Sequence, residues 1–200
     1  MRIKLLANLV AKAQPDIICL QETKVADQQF PLSQAQQIMP YAYYLGNPLQ
    51  SGYNGVAILS KMPLDLIPPV YWYGKNDARF IGARLPNGTE IHNFYVPAGG
   101  DEPDPKINAK YAHKLQFAEE MTNWYQQNYQ PDHKIIMLGD LNIAPQEHDV
   151  WSHKQLLKVV SHTEPEVSRM KQLQQTLNWC DVGRHFTPAE QKLYSWWSYR

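Results

Sequence analysis

An α/β fold with a mixed sheet is what this sequence predicts, on three observations. Short apolar runs of strand length alternate along the chain with longer stretches whose apolar residues recur at helical spacing. Two strand-like runs flank Pro86-Asn87-Gly88, a hairpin signal that puts an antiparallel pair into the sheet. At 200 residues, 44% hydrophobic and 12% aromatic, the chain can bury the core of one domain and is too short to suggest two.

Taken in order, Lys4 to Ala13 carries Leu5, Leu6, Leu9 and Val10 at helical spacing, and Pro15-Asp16 stops that helix. Ile17-Ile18-Cys19-Leu20 reads as a short buried strand leading into Gln21-Glu22-Thr23-Lys24. A helix over Leu32 to Met39 stops at Pro40. The turn Gly52-Tyr53-Asn54-Gly55 then precedes a strand, Val56 to Leu59. The hairpin strands run from Arg79 to Leu85 and from Thr89 to Val96. An acidic, proline-containing loop follows, and Ile107 to Tyr129 has the composition and spacing of one long helix. Lys134 to Leu138 is a buried strand ending at Gly139-Asp140-Leu141-Asn142. Helical pieces over Trp151 to Val160 and Glu166 to Trp179 alternate with loops, and no repeat, low-complexity tract or linker interrupts the chain.

Nineteen basic residues balance nineteen acidic ones, which argues against a protein that coats nucleic acid by charge alone. An enzyme that grips phosphates locally stays compatible with that balance. No apolar run is long enough to span a membrane and the first residues do not resemble a secretory signal, so the expected location is cytoplasmic. Cys19 and Cys180 are the two cysteines. Cys19, inside an apolar run, reads as a buried thiol rather than half of a disulfide.

The chemistry is expected where apolar strands end in polar residues: Glu22 after one, Tyr95 at the end of another, Asp140 and Asn142 after a third. In extended chain, Asp140 and Asn142 would point to the same side. Carboxylates and an amide oxygen are hard donors that suit Mg²⁺ or Mn²⁺ rather than zinc, and a hard cation beside a phosphate assists its hydrolysis. The residues by themselves thus suggest a Mg²⁺-assisted phosphodiester or phosphomonoester hydrolase. Each residue also has a plainer reading: Asp140 as a turn former, Glu22 as a solvated charge, Tyr95 as a sheet aromatic, and Lys24, Arg79, Arg84 and Lys110 as surface charges. The seven histidines lack the paired spacing of a zinc site.

Read as words, the motifs are far more specific. Cys19-Leu20-Gln21-Glu22-Thr23-Lys24, Gly55-Val56-Ala57-Ile58-Leu59-Ser60, Asn93-Phe94-Tyr95-Val96-Pro97, Gly139-Asp140-Leu141-Asn142-Ile143-Ala144-Pro145 and Tyr194-Ser195-Trp196-Trp197-Ser198-Tyr199-Arg200 follow one another as in the exonuclease III family of abasic-site endonucleases, which the sequence resembles over nearly its whole length. The resemblance implies the four-layered α/β sandwich of that fold, two packed mixed β-sheets flanked by helices, spanning residues 1–200 as a single domain. It implies a site for Mg²⁺ (or Mn²⁺) formed by Glu22, Asp140 and Asn142. Tyr95 would polarise the scissile phosphate. Asp140 would orient or deprotonate the attacking water, Asn142 would hold the phosphate, and Lys24 would support the cluster. Gly52 and Tyr53 would lie against the DNA backbone, and Trp196 would line the pocket for a flipped-out abasic sugar. The substrate it implies is double-stranded DNA with abasic sites or 3′ ends, acted on by a monomer.

The same resemblance sets up further expectations. Family members begin with a strand bearing a Trp/Phe-Asn motif and finish with an Arg-x-Asp-His/Leu strand and a Ser-Asp-His motif. This sequence has neither, so it is expected to lack the first strand and the C-terminal strands, and those pieces decide whether it is active alone. Two other readings stay open: a phosphatase of the same fold acting on inositol or lipid phosphates, and a non-catalytic DNA-binding fragment.

Overall fold

The computed structural model describes residues 3–48, 50 and 52–197; Met1, Arg2 and the Ser198-Tyr199-Arg200 end of the last motif lie outside the described residues. Chain contacts divide it into two compact units, Met1–Tyr95 with Lys134–Leu141, and Val96–His133 with Asn142–Arg200.

The first unit holds both sheets. Strands β1 (Ile17–Gln21), β2 (Tyr41–Leu45) and β3 (Val56–Ser60) form an antiparallel sheet in the order β1-β3-β2. Strands β4 (Asp65–Leu66), β5 (Phe80–Arg84), β6 (Glu90–Tyr95) and β7 (Ile135–Asp140) form the second sheet in sequence order, antiparallel except for the parallel β6–β7 pair. The β5–β6 hairpin lies where Pro86-Asn87-Gly88 predicts it, closed by hydrogen bonds between Leu85 and both Thr89 and Gly88. The alternation of strand side chains then sorts the cores. Val56, Ile58, Ile81, Ala83, Ile91 and Tyr95 interlock between the two sheets. Ala57, Leu59 and Ile18 face the opposite way, onto Leu6 of helix α1 (Ile3–Ala13) and Ala35 of helix α2 (Leu32–Ile38). Each large apolar side chain fully buried this way contributes about 1.5–3 kcal/mol. On α1 only half of the predicted apolar stripe packs inward: Leu6 and Val10 do, whereas Leu5 and Leu9 are exposed. Cys19 is partly buried with its thiol pushed up to about 12 by desolvation, and both cysteines are free.

One polar side chain crosses the inter-sheet core. Asn93, fully buried on β6, donates to Leu20 O at 3.0 Å and Ala57 O at 3.1 Å and accepts from Gln21 Nε2 at 2.6 Å. It fixes the register of one sheet over the other two residues before Tyr95.

The second unit is helical among the described residues. Helix α3 (Ala109–Asn128) is capped by Asn108, whose side chain accepts from the amides of Lys110 and Tyr111. It packs with α5 (Glu164–Thr176), which opens on a capping box formed by Thr163 and Glu166. The short α4 (His153–Leu156) and α6 (Val182–Phe186) complete it. No helix among the described residues is long and apolar enough to cross a membrane.

Candidate active site

In the first unit the ends of three strands meet. Tyr95 and Asp140 are register partners, the last residues of the parallel strands β6 and β7, so their side chains stand next to each other. That closeness needs Gly139: its φ is +133°, and a Cβ there would lie 2.0 Å from Phe94 O. Across the inter-sheet core, Glu22 follows β1 and accepts a short hydrogen bond from the Tyr95 hydroxyl. Lys24 Nζ lies 3.2 Å from the other oxygen of Glu22.

The chain around Glu22 is held in an unfavourable shape. Glu22 and Lys24 have φ of +52° and +56°, and the facing loops add Asn54 at +56° and Ala78 at +53°. Such left-handed residues cost of order 1 kcal/mol each and persist only when their surroundings fix them. Here they are fixed. Thr23 N and Lys24 N donate to Gly55 O and Asn54 O at 3.1 and 2.8 Å, Gly55 N donates to Ala78 O at 3.1 Å, and the Asn54 amide donates to Asp77 O at 2.9 Å.

A half-buried arginine underlies the cluster. Arg79, its side chain only 12% exposed, pairs with Asp77 at 2.5 Å, donates to Tyr95 O at 3.2 Å, and places its guanidinium 4.9 Å from the Tyr95 ring centroid. The electrostatics follow. Burial works against ionisation of Glu22, but the Tyr95 hydroxyl, Lys24 and Arg79 outweigh it and hold the carboxyl below its ordinary value. Burial and the Glu22 carboxylate push the Tyr95 phenol well above its ordinary value, with Asp140 adding to the rise and Arg79 opposing it. At neutral pH the cluster therefore has an ionised carboxylate and a protonated phenol.

For a metal ion, the donor chemistry is the test. Among the described residues no group of three or more His, Cys, Asp and Glu side chains is set to hold an ion. Glu22 and Asp140 flank Tyr95 with carboxylate oxygens only. That set fits Mg²⁺, which takes one or two carboxylates and keeps several waters, and suits it better than zinc, which favours His and Cys donors.

In the second unit, Asn142 departs from the expected geometry. The strand has ended at Asp140 and Asn142 has φ +51°, so the alternation that would set the two side chains on one side does not extend to it. Its amide donates to Val96 O at 2.9 Å. Asn142 and Trp196 line one pocket of about 290 Å³, with Ala98, Gly100, Asp101 and Ser161 in the same wall. Trp196 packs on Ala144, Val150 and Leu156, and its amide reaches Asp149 O, whose carboxylate is gripped by Arg184 at 2.5 Å. Gly52 and Tyr53 occupy a turn of the first unit, with Tyr53 57% exposed. Sequence reasoning left Arg79 among the surface charges, because nothing in a lone arginine marks it as half-buried beneath a tyrosine.

With this geometry in hand, the chain belongs to the endonuclease/exonuclease/phosphatase family, whose profile matches residues 1–200. More particularly, it is similar to exodeoxyribonuclease III of Haemophilus influenzae, 27% identical over 98% of this chain and 74% of that protein. It is 29% identical to recombination repair protein 1 of Drosophila melanogaster, over 96% of this chain but only 27% of that protein's length. Among solved structures, an AP endonuclease from Archaeoglobus fulgidus superposes with a TM-score of 0.87 at 29% identity, covering 100% of this chain and 74% of that one. The α/β fold with two packed sheets expected from the sequence is the fold of that enzyme.

Proposed function

We propose that the protein is a divalent-metal-dependent DNA-repair phosphodiesterase that cuts 5′ to abasic sites and removes nucleotides 3′→5′ from duplex DNA. The observation that carries this reading is the triple of Glu22, Tyr95 and Asp140: two carboxylates either side of a phenol kept protonated, assembled from three strand ends. The names of the relatives, exodeoxyribonuclease and AP endonuclease, favour DNA over inositol or lipid phosphates.

Glu22 and Asp140 are the residues to hold Mg²⁺, or Mn²⁺, with Asn142 as the amide donor the family resemblance adds. A bound ion of this kind neutralises charge on the phosphate and lowers the pKa of water beside it. The side chains divide the remaining work. Tyr95, whose single hydroxyl proton is given to Glu22 in the free protein, turns that proton to a phosphate oxygen once substrate is bound and stabilises charge as the pentavalent centre forms. Asp140 takes a proton from the attacking water, whose oxygen bonds to phosphorus as the P–O3′ bond on the 5′ side of the lesion breaks, and the departing 3′ oxygen takes up a proton from solvent to become a free 3′ hydroxyl. Lys24 holds the carboxylate of Glu22 in place. Asn142 holds the phosphate, Gly52 and Tyr53 lie along the DNA backbone, and Trp196 receives the base-free sugar in a pocket with no need to hold a base.

The test is incision of a duplex oligonucleotide carrying one abasic-site analogue, with Mg²⁺ and with EDTA. The expected result is a chelator-sensitive cut 5′ to the lesion whose rate drops about 10³-fold or more in Asp140→Asn with the melting temperature unchanged. Near-full activity of Asp140→Asn, or a preference for releasing phosphate from an inositol polyphosphate, would show the reading to be wrong.

A further inference from the structure

The second unit contains a lysine and a glutamate with no access to solvent. Lys114 of α3 and Glu166 of α5 are both 0% exposed, with Nζ and Oε1 2.5 Å apart. The ammonium also donates to Asn142 O at 2.7 Å, Ser161 Oγ at 3.0 Å and Ala98 O at 3.2 Å. All three of those residues line the 290 Å³ pocket. From the other side of the pair, Glu166 accepts from Ser161 N at 2.9 and 2.8 Å and from the amide and hydroxyl of Thr163 at 3.1 and 2.6 Å.

Two non-glycine residues of that pocket have left-handed backbones, Asn142 at φ +51° and Ser161 at φ +86°. Lys114 bonds to both of them. Its stem also fits a shape that glycine makes possible: a Cβ on Gly99 would meet Lys114 Cδ at 2.8 Å. Stability alone is a poor explanation for the pair. A buried ion pair gains little over apolar side chains of equal volume, because desolvating two charges offsets their attraction. Several directional bonds from one ammonium do what an apolar side chain cannot: they set where three separate chain segments lie.

We infer that Lys114, locked by Glu166, is a positioning residue that holds Asn142 and Ala98 by their backbone carbonyls and Ser161 by its hydroxyl in the shape of the pocket. It acts through Asn142 and touches no substrate. Its kinetic consequence rests on the function proposed above, whereas its structural consequence does not.

The variant that separates positioning from stability is the double substitution Lys114→Met with Glu166→Gln, which removes both charges and keeps the volume. Its melting temperature is expected to stay within a few degrees of the parent. Hydrogen exchange in the peptide 141–146, which contains the Ala144 amide bonded to Ser161 O at 2.8 Å, is expected to accelerate at least tenfold while α3 and α5 exchange as before. On an abasic duplex kcat is expected to fall about 10–100-fold with KM nearly unchanged, the mark of misplacement rather than lost binding. Should the double variant fail to fold, Lys114→Arg keeps the charge but cannot centre one ammonium among these oxygens, and the same local acceleration is expected. Parental exchange in 141–146 in a folded variant overturns the inference, as does acceleration spread evenly over the unit. Absence of incision by the parent protein would sink the repair reading and leave exchange to decide this one.

Discussion

Removing the Tyr95 hydroxyl takes away the one proton that Glu22 accepts in the free protein and that a bound phosphate would accept in its place. Tyr95→Phe is expected to slow incision about 10–100-fold, less than Asp140→Asn, because the phenol is one of several groups stabilising the same charge. It carries a second expectation that needs no substrate. Glu22 titrates below its ordinary value partly because Tyr95 donates to it, so the variant's Glu22 midpoint moves up, readable in a carboxyl ¹³C titration. The sign for stability follows: a depressed carboxylate stabilises the fold above its unfolded pKa and loses that contribution as pH falls through the folded one. Glu22, Tyr95 and Asp140 were legible in the sequence because each ends an apolar run, where a polar residue is conspicuous. Arg79, Asn93 and Lys114 were not, because a buried partner across the fold leaves no local mark. Asn142 was legible as a residue but not as a geometry, since alternation says nothing once the strand has ended.

At the level of elements, β6 and β7 carry the most predictive detail. Gly139→Ala drives a Cβ into the Phe94 backbone and is expected to destabilise the fold by about 3 kcal/mol or more, measured by urea unfolding, and to abolish incision by breaking the Tyr95–Asp140 pairing. On β6, burial lowers the His92 pKa to about 4 although Glu90 accepts its Nε2–H at 3.0 Å. The unfolded chain therefore takes up that proton first, near its ordinary 6.5, and stability declines as pH falls from 6.5 towards 4. His92→Gln should flatten that slope in unfolding midpoints measured across the interval. The hairpin, β1, β3, β7 and α3 could be read because turn chemistry and apolar runs are local. Strand β2 could not: Tyr41-Ala42-Tyr43-Tyr44-Leu45 has no alternation, and its strand form comes from pairing with β3. The helix expected over Trp151 to Val160 shortens to α4, where the chain turns into Ser161 to meet Glu166.

Over the whole molecule, charge sets the kind of DNA binding to expect. With 19 basic and 19 acidic residues the protein has no net positive charge to attract undamaged duplex in bulk. Its affinity for undamaged DNA is expected to be weak and its log K–log salt slope no steeper than about −4, as measured by anisotropy. A steep slope would point to a long cationic track and a different mode of recognition.

The left-handed backbones at Glu22, Lys24, Asn54 and Ala78 bear on how this protein could be improved in the laboratory. Glycine adopts that conformation freely, so Lys24→Gly and Ala78→Gly each relieve about 1 kcal/mol of backbone strain, offset in part by the entropy glycine adds to the unfolded chain. A library screened for thermal survival alone would accumulate such changes, loosening the loops that aim Glu22. Its hardiest winners would be its poorest enzymes, so the screen has to demand turnover in every round.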